Sequence, residues 1–156
     1  MSAVSSLTLI EAITLAIAIL GAVLGVINTW HALDRSRVKL KVLPAHVIPV
    51  GRTDPRLTFC IGVTNLSAFP VTIREVGVLY KGTDKRGAFV EPFLTDHGPW
   101  PRRLEARSSV TVYGQEPDST PELRIRCAYA RTECGHMQKG NSPALRQIAA
   151  GAAARV

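Results

Sequence analysis

Two kinds of hydrophobic pattern divide the chain. Residues 7–30, LTLIEAITLAIAILGAVLGVINTW, are apolar almost throughout, and Glu11 is the only ionisable side chain among them. Beyond residue 37, apolar and polar residues alternate in short runs separated by Gly, Pro and charged residues. Continuous apolarity predicts a membrane-spanning helix, whereas alternation with a period of two predicts β-strands.

The apolar stretch 7–30 is long enough to cross a bilayer. At about 1.5 Å per helical residue it reaches about 36 Å, against a hydrocarbon core of about 30 Å. A cleaved signal peptide is one alternative, but residues 1–6, MSAVSS, lack the Lys or Arg of such peptides, and no small-x-small cleavage site follows. A buried helix of a soluble protein is another, but it would normally carry a polar stripe. We therefore expect a retained anchor.

The flanks of this stretch predict its orientation. No Lys or Arg precedes it, and Trp30 ends it as an interfacial aromatic residue. Basic residues follow closely, at Arg35, Arg37, Lys39 and Lys41. Because positive charge is retained in the cytoplasm, we expect a single-pass protein of the inner (cytoplasmic) membrane with its N-terminus outside and its C-terminal domain cytoplasmic.

Small and polar residues align along one face of the predicted helix. Their spacing alternates between three and four positions, which places them on one side of a helix: Glu11, Thr14, Ala18, Gly21, Gly25 and Asn28. The motif GxxxG lies within this stripe and favours close approach of helices in lipid, so we expect a homo-oligomer or a membrane protein partner. A chance motif in a stretch rich in Ala and Gly is the alternative.

Alternating runs fill the rest of the chain. They predict strands at residues 38–43, 45–50, 57–64, 71–80, 88–93, 109–113 and 123–130, with 131–141 continuing or pairing with the last. The runs 57–64 and 71–80 are predicted to form a hairpin. In the second run the apolar positions change from odd to even numbers near Arg74 and Glu75, as a β-bulge would produce.

The pattern predicts a mainly β fold: an N-terminal transmembrane α-helix, an antiparallel immunoglobulin-like β-sandwich and a short C-terminal helix. Ser142 followed by Pro143 is a favourable helix start. The predicted divisions are a tail at 1–6, the span at 7–30, a polar collar at 31–37, the sandwich at 38–141 and a short helix or tail at 142–156.

The run FCIGVTNLSAFPVTIREVGVLY and the later SSVTVYG carry a resemblance. They resemble immunoglobulin-like or fibronectin-III-like sandwich domains of bacterial and phage single-pass membrane proteins. The resemblance covers residues 57–80 well and 104–145 loosely, through hydrophobic pattern. It implies a binding or scaffolding module, and it identifies no catalytic residues in this chain.

Charge and cysteine content add limits. The chain has a net charge of +7, and all 19 of its Lys and Arg residues follow the span, where their positive charge suits an anionic inner-leaflet surface. Lys and Arg are scattered without a recognition helix or an aromatic RNA-binding strand, so we expect no nucleic acid. The three cysteines are expected to be reduced. By alternation Cys127 shares the face of Leu123 and Ile125, whereas Cys60 lies on the opposite, polar face of its strand, which argues against a disulfide.

Candidate chemistry is sparse. A structural zinc site usually has four ligands, with cysteines in closely spaced pairs, and this pattern is absent at Cys127, Cys134 and His136. We therefore expect no metal or cofactor. Cys134 and His136 suggest a thiol-dependent enzyme as an alternative, although no oxyanion site or orienting carboxylate is evident. The leading hypothesis is a non-enzymatic, membrane-anchored binding or scaffolding protein whose β domain has an unidentified protein partner. A phage or prophage protein that modifies the host envelope is a further alternative.

Overall fold

Two units follow one another along the chain, an apolar helix and a β unit. The computed structural model describes residues 9–48, 54, 57–90, 92–120 and 123–151. The first unit is Met1–Arg37 and the second is Val38–Val156.

The first unit contains helix α1 (Leu9–Ser36), which has 28 residues and no proline to interrupt it. The hydroxyl of Thr14 donates to the carbonyl of Ile10 at 2.9 Å, and that of Thr29 to the carbonyl of Gly25 at 2.8 Å. Both polar groups are therefore satisfied within the helix. None of its described side chains is buried, and it is long and apolar enough to span a membrane. The predicted collar continues this helix as far as Ser36, and residues 7 and 8 of the predicted span lie outside the described residues.

The second unit is built from strands and one short helix. Its described residues form β1 (Leu40–His46), β2 (Phe59–Asn65), β3 (Val71–Tyr80), β4 (Arg86–Ala88), β5 (Arg102–Leu104), β6 (Ser109–Gly114), β7 (Ile125–Thr132) and β8 (Met137–Gly140), followed by α2 (Pro143–Gly151). Every pairing is antiparallel. One sheet has the order β1-β2-β6, and the other has the order β4-β3-β7-β8 with β5 also paired to β3.

The strand order is that of an immunoglobulin-type sandwich. With letters assigned in chain order, β1, β2 and β6 take positions A, B and E of one sheet, and β4, β3, β7 and β8 take positions C′, C, F and G of the other. β5 follows the strand at position C′ in the chain and precedes the strand at position E, and it has no letter in this assignment. The predicted fold class is confirmed: an N-terminal apolar helix, two antiparallel sheets and a short C-terminal helix, mostly β.

The core lies between the two sheets. On β2, Phe59, Ile61 and Val63 are fully buried at alternate positions, as a strand with one covered face requires. Val76 and Val78 of β3 meet them from the other sheet within the same hydrophobic cluster. Burying one such aliphatic or aromatic side chain contributes about 1.5–3 kcal/mol. The inner faces of both sheets therefore provide most of the stabilisation of the β unit.

The predicted bulge in β3 is confirmed. Pairing between β3 and β7 shifts between Ile73 and Glu75, and again between Leu79 and Tyr80. The core-facing positions of β7 change from odd to even numbers at this second shift, since Ile125 and Ala128 both belong to the core cluster. Cys127 is buried but lies outside that cluster, so its predicted place on the face of Ile125 is wrong. Alternation alone missed the second shift.

The predicted hairpin of residues 57–64 and 71–80 is wrong. β2 pairs with β1 and β6, whereas β3 pairs with β4, β5 and β7. Residues 66–70 therefore cross from one sheet to the other. Turn-forming residues mark a change of direction, but they do not specify which sheet the next strand joins.

Other strand assignments also differ from the predictions. Residues 45 and 46 extend β1 through Pro44, and no second strand follows among the described residues up to position 48. The predicted strand 88–93 is reduced to β4, which ends at Ala88, and an isolated bridge from Phe93 to Tyr113. β5 was not predicted, because its three residues contain one apolar side chain, Leu104, and so show no alternating pattern.

The crossing from β2 to β3 depends on one buried amide, that of Asn65. Its nitrogen donates to the carbonyls of Phe69 at 2.9 Å, Leu104 at 3.2 Å and Glu105 at 3.1 Å. Its Oδ1 accepts the amide of Ser67 at 2.9 Å. The side chain is fully buried, so it satisfies backbone groups that water does not reach.

Asn65→Asp should destabilise the β unit by about 3 kcal/mol or more, since a carboxylate would face carbonyl oxygens that have lost their donor. The measurement is urea unfolding of the full chain in detergent, with Trp30 replaced by Phe so that the fluorescence reports on Trp100. Asn141→Asp is the matched control. Asn141 is exposed and uses Oδ1 to accept the amide of Ser142 at 2.9 Å, a bond that Asp retains. The two variants should differ clearly, and equal stability would contradict the assigned role of Asn65.

Candidate functional sites

The predicted association face lies entirely on α1. Glu11, Thr14, Ala18, Gly21, Gly25 and Asn28 are all within the helix, and their side chains are exposed. A Cβ atom added to Gly21 or Gly25 would meet nothing within 4 Å. The small residues therefore leave a shallow surface that another backbone is able to approach. Association of this face stays a prediction.

The predicted interface residues are divided between the two units. Trp30, whose side chain is 68% exposed, and Arg35 belong to α1, and Arg37 follows it. The backbone of Lys39 is fixed in the β unit, where its amide donates to the hydroxyl of Ser67 at 2.8 Å. Lys41 points outward from β1 between two buried residues.

Cys134 and His136 lie in the turn between β7 and β8. The sulfur of Cys134 lies 3.1 Å from the hydroxyl of Thr132, and this hydroxyl also contacts the carbonyl of His136 at 3.1 Å. The Thr132 hydroxyl and the backbone amide of His136 lower the pKa of the Cys134 thiol. The thiol is exposed, so the turn presents a sulfur whose thiolate form is stabilised.

A largely apolar cavity of about 450 Å³ adjoins this turn. Val38, Phe69 and Val71 form part of its wall, and Thr132, Glu133 and Cys134 form another part. Glu133 pairs with Arg74 on the surface, with a distance of 3.3 Å between Oε1 and Nη1. The thiol is therefore beside a space that a small organic molecule is able to enter.

The other cysteines lie apart from this site. Cys60 and Cys127 are both 8% exposed and neither forms a disulfide. Burial raises the pKa of Cys60, which outweighs the opposing effect of a backbone hydrogen bond with Ala45. Within the part of the chain that the structure describes, no group of three or more His, Cys, Asp or Glu residues could hold a metal ion.

A buried tyrosine of β7 contacts an ion pair between β3 and β4. The hydroxyl of Tyr129 donates to Oε1 of Glu75, and the same oxygen lies 3.2 Å from Nε of Arg86. Burial and then Glu75 raise the pKa of Tyr129 well above its ordinary value. The hydroxyl stays protonated and donates its hydrogen bond, so this group stabilises the sheet.

Four cationic side chains surround a second cavity, of about 460 Å³. They come from the end of β3, the start of β7 and helix α2, and are Lys81, Arg124, Arg126 and Arg146. All four are exposed. None forms an ion pair with another described residue, and no acidic residue is among those lining the cavity. We refer to these four residues and their cavity as the basic pocket.

Sequence reasoning missed the basic pocket. It treated Arg124, Arg126 and Arg146 as scattered surface charges. One signal was present, because Arg124 and Arg126 flank the buried Ile125 and so share a face. Lys81 joins them only because its amide donates to the carbonyl of Arg124 at 2.8 Å, a pairing that the sequence does not reveal.

Comparison with known proteins adds no family. The chain matches no protein-family model and no curated protein sequence.

Alkylation of Cys134 should follow a pH curve whose midpoint lies below that of an ordinary cysteine. Hydrogen bonds to the sulfur favour the thiolate, which is the reactive form, so it appears at lower pH. Thr132→Val should move the midpoint upward. The measurement is the rate of iodoacetamide labelling by mass spectrometry, in the full chain with Cys60 and Cys127 replaced by Ala.

Cys60 is the internal reference in the unmodified chain. Its pKa is raised and its side chain is buried, so it should react at least about tenfold more slowly than Cys134 at neutral pH. A midpoint that is unchanged by Thr132→Val would contradict the role given to the hydroxyl.

Proposed function

We propose that this chain is a non-enzymatic, single-pass membrane protein that holds a β-sandwich in the cytoplasm, where the sandwich binds a protein partner or organises an assembly. The observation that carries the proposal is α1, an apolar helix of 28 residues without a buried side chain among those described. An exposed apolar surface of this extent is unstable in water and is satisfied by lipid or by other apolar helices.

The β unit supports the binding part of the proposal. Its internal polar groups bond to the fold: Asn65 to three carbonyls and Tyr129 to Glu75. These contacts serve stability. Sandwiches of this kind present loops and edge strands to partners, and the sequence resembles domains of that type in bacterial and phage membrane proteins.

The direction of insertion is supported by charge. Arg35 lies in the last turn of α1, and Arg37, Lys39 and Lys41 follow it. Positive charge at one end favours retention of that end in the cytoplasm. The proposal therefore places the N-terminus outside the inner membrane and the sandwich inside.

Labelling with a membrane-impermeant maleimide tests the topology. Ala3→Cys and Asp118→Cys are introduced separately into a chain whose three native cysteines are replaced by Ala. In intact cells the reagent should label position 3 and spare position 118, while lysed cells should show both. Labelling of position 118 from outside would overturn the cytoplasmic placement.

The stripe on α1 supports association in the membrane. Gly21→Leu combined with Gly25→Leu should weaken self-association about fivefold, or ~1 kcal/mol, because the added side chains separate the backbones. Ala12→Leu combined with Ala16→Leu is the matched control, since this pair has the same spacing on the opposite face. A membrane two-hybrid assay or single-molecule photobleaching measures the effect. Equal association of both double variants would leave α1 as a plain anchor.

The lowered pKa of Cys134 beside the 450 Å³ cavity favours a second candidate, a thiol-dependent enzyme. In that case a small-molecule electrophile occupying the cavity should be turned over, with loss of turnover in Cys134→Ser. A binding module would show only stoichiometric labelling.

A further inference from the structure

The basic pocket concentrates four positive charges that have no ion-pair partner among the described residues of the chain. Four other surface cations of the sandwich have acidic partners: Arg74 pairs with Glu133, Arg86 with Glu75, Arg102 with Asp96 and Arg103 with Glu105. The four cations of the basic pocket have no such partner among the described residues. Tyr80 precedes Lys81 in the chain, and burial and then the charge of Asp118 raise the pKa of this tyrosine.

The pocket is built by ordered parts of the fold. Leu145 and Ile148 of α2 are 1% and 5% exposed, so the helix is held against the sandwich. Its first turn is capped by Ser142, whose hydroxyl accepts the amide of Leu145 at 3.1 Å. Arg146 is therefore carried to the cavity on a docked helix. Lys81 and Arg124 are brought together by their backbone hydrogen bond of 2.8 Å.

We propose that the basic pocket binds a phosphate-bearing anion that carries two or more negative charges. Arginine presents a planar set of donors that matches phosphate oxygens, and three of the four cations are arginines. A cavity of about 460 Å³ suits a small ligand. Like charges gathered on one surface repel one another, and a bound polyanion reduces that repulsion. The site lies within the β unit and does not depend on the proposed membrane topology.

Two sources offer this chemistry, a free phosphorylated compound and the headgroup of an anionic lipid. Full-length protein in a neutral detergent is titrated with inorganic pyrophosphate in one arm and with a water-soluble short-chain phosphatidic acid in the other. Binding is followed by isothermal calorimetry at low and at high salt, and it should weaken as salt rises. Pyrophosphate binding identifies a free anion as sufficient, whereas binding of phosphatidic acid alone identifies a lipid headgroup.

Charge reversal within the pocket supplies the decisive comparison. Arg124→Glu combined with Arg146→Glu should weaken binding of the anion about tenfold or more. Lys85→Glu combined with Arg107→Glu removes the same net charge at exposed positions that do not line the pocket, and it should leave affinity within about twofold.

The conservative pair Arg124→Lys and Arg146→Lys separates a folding defect from a binding defect. It keeps the charge and should retain most of the affinity. Circular dichroism of each variant should show the sheet content of the parent chain. The proposal is overturned if neither anion binds, if both reversals weaken binding equally, or if the pocket reversal has no effect.

Discussion

The structure of the β unit depends on the crossing that follows β2. Consecutive strands joined by a short turn would ordinarily pair with each other, yet β3 belongs to the opposite sheet. The buried amide of Asn65 ties this crossing to the end of β5, because it donates to the carbonyl of Phe69 in the crossing and to those of Leu104 and Glu105. With the crossing in place, β2 and β3 face each other across the core, and the apolar faces of both sheets are covered at once. The sandwich therefore depends on hydrogen bonding of buried polar groups as well as on the hydrophobic pattern of its strands.

The helix and the sandwich differ in the kind of surface that they expose. In α1 the hydroxyls of Thr14 and Thr29 donate to carbonyls of the same helix, so the surface that its central turns present outward is mostly apolar. In the sandwich, charged side chains cover the outside and pair with one another in several places. One chain therefore combines an element suited to hydrocarbon with one suited to water.

The sequence allowed some of this to be predicted. α1 was evident because no charged or proline residue interrupts its centre, and the bulge near Glu75 was evident because the apolar positions change parity there. The partner of β3 was not evident, since pairing is decided by buried contacts such as those of Asn65. β5 escaped notice because three residues with one buried leucine carry too little pattern.

The candidate sites divide in the same way. Cys134 and His136 are close in sequence, so their turn could be proposed in advance, although the contact with Thr132 could not. Lys81, Arg124 and Arg146 are far apart in sequence, and only the paired strands and the docked helix bring them together. Sites made from distant residues are generally invisible to spacing rules, because those rules detect only local geometry.

The docking of α2 has a consequence for the local stability of the chain. A helix of nine residues is too short to persist alone in water, so α2 exists through its cap and its two buried side chains. Such a terminal element is able to detach at a lower free energy than is needed to separate the sheets. Detachment would carry Arg146 away and dismantle the basic pocket while the sandwich remained folded. Occupancy of that pocket and docking of α2 are therefore thermodynamically linked: any anion held there would also hold α2 in place.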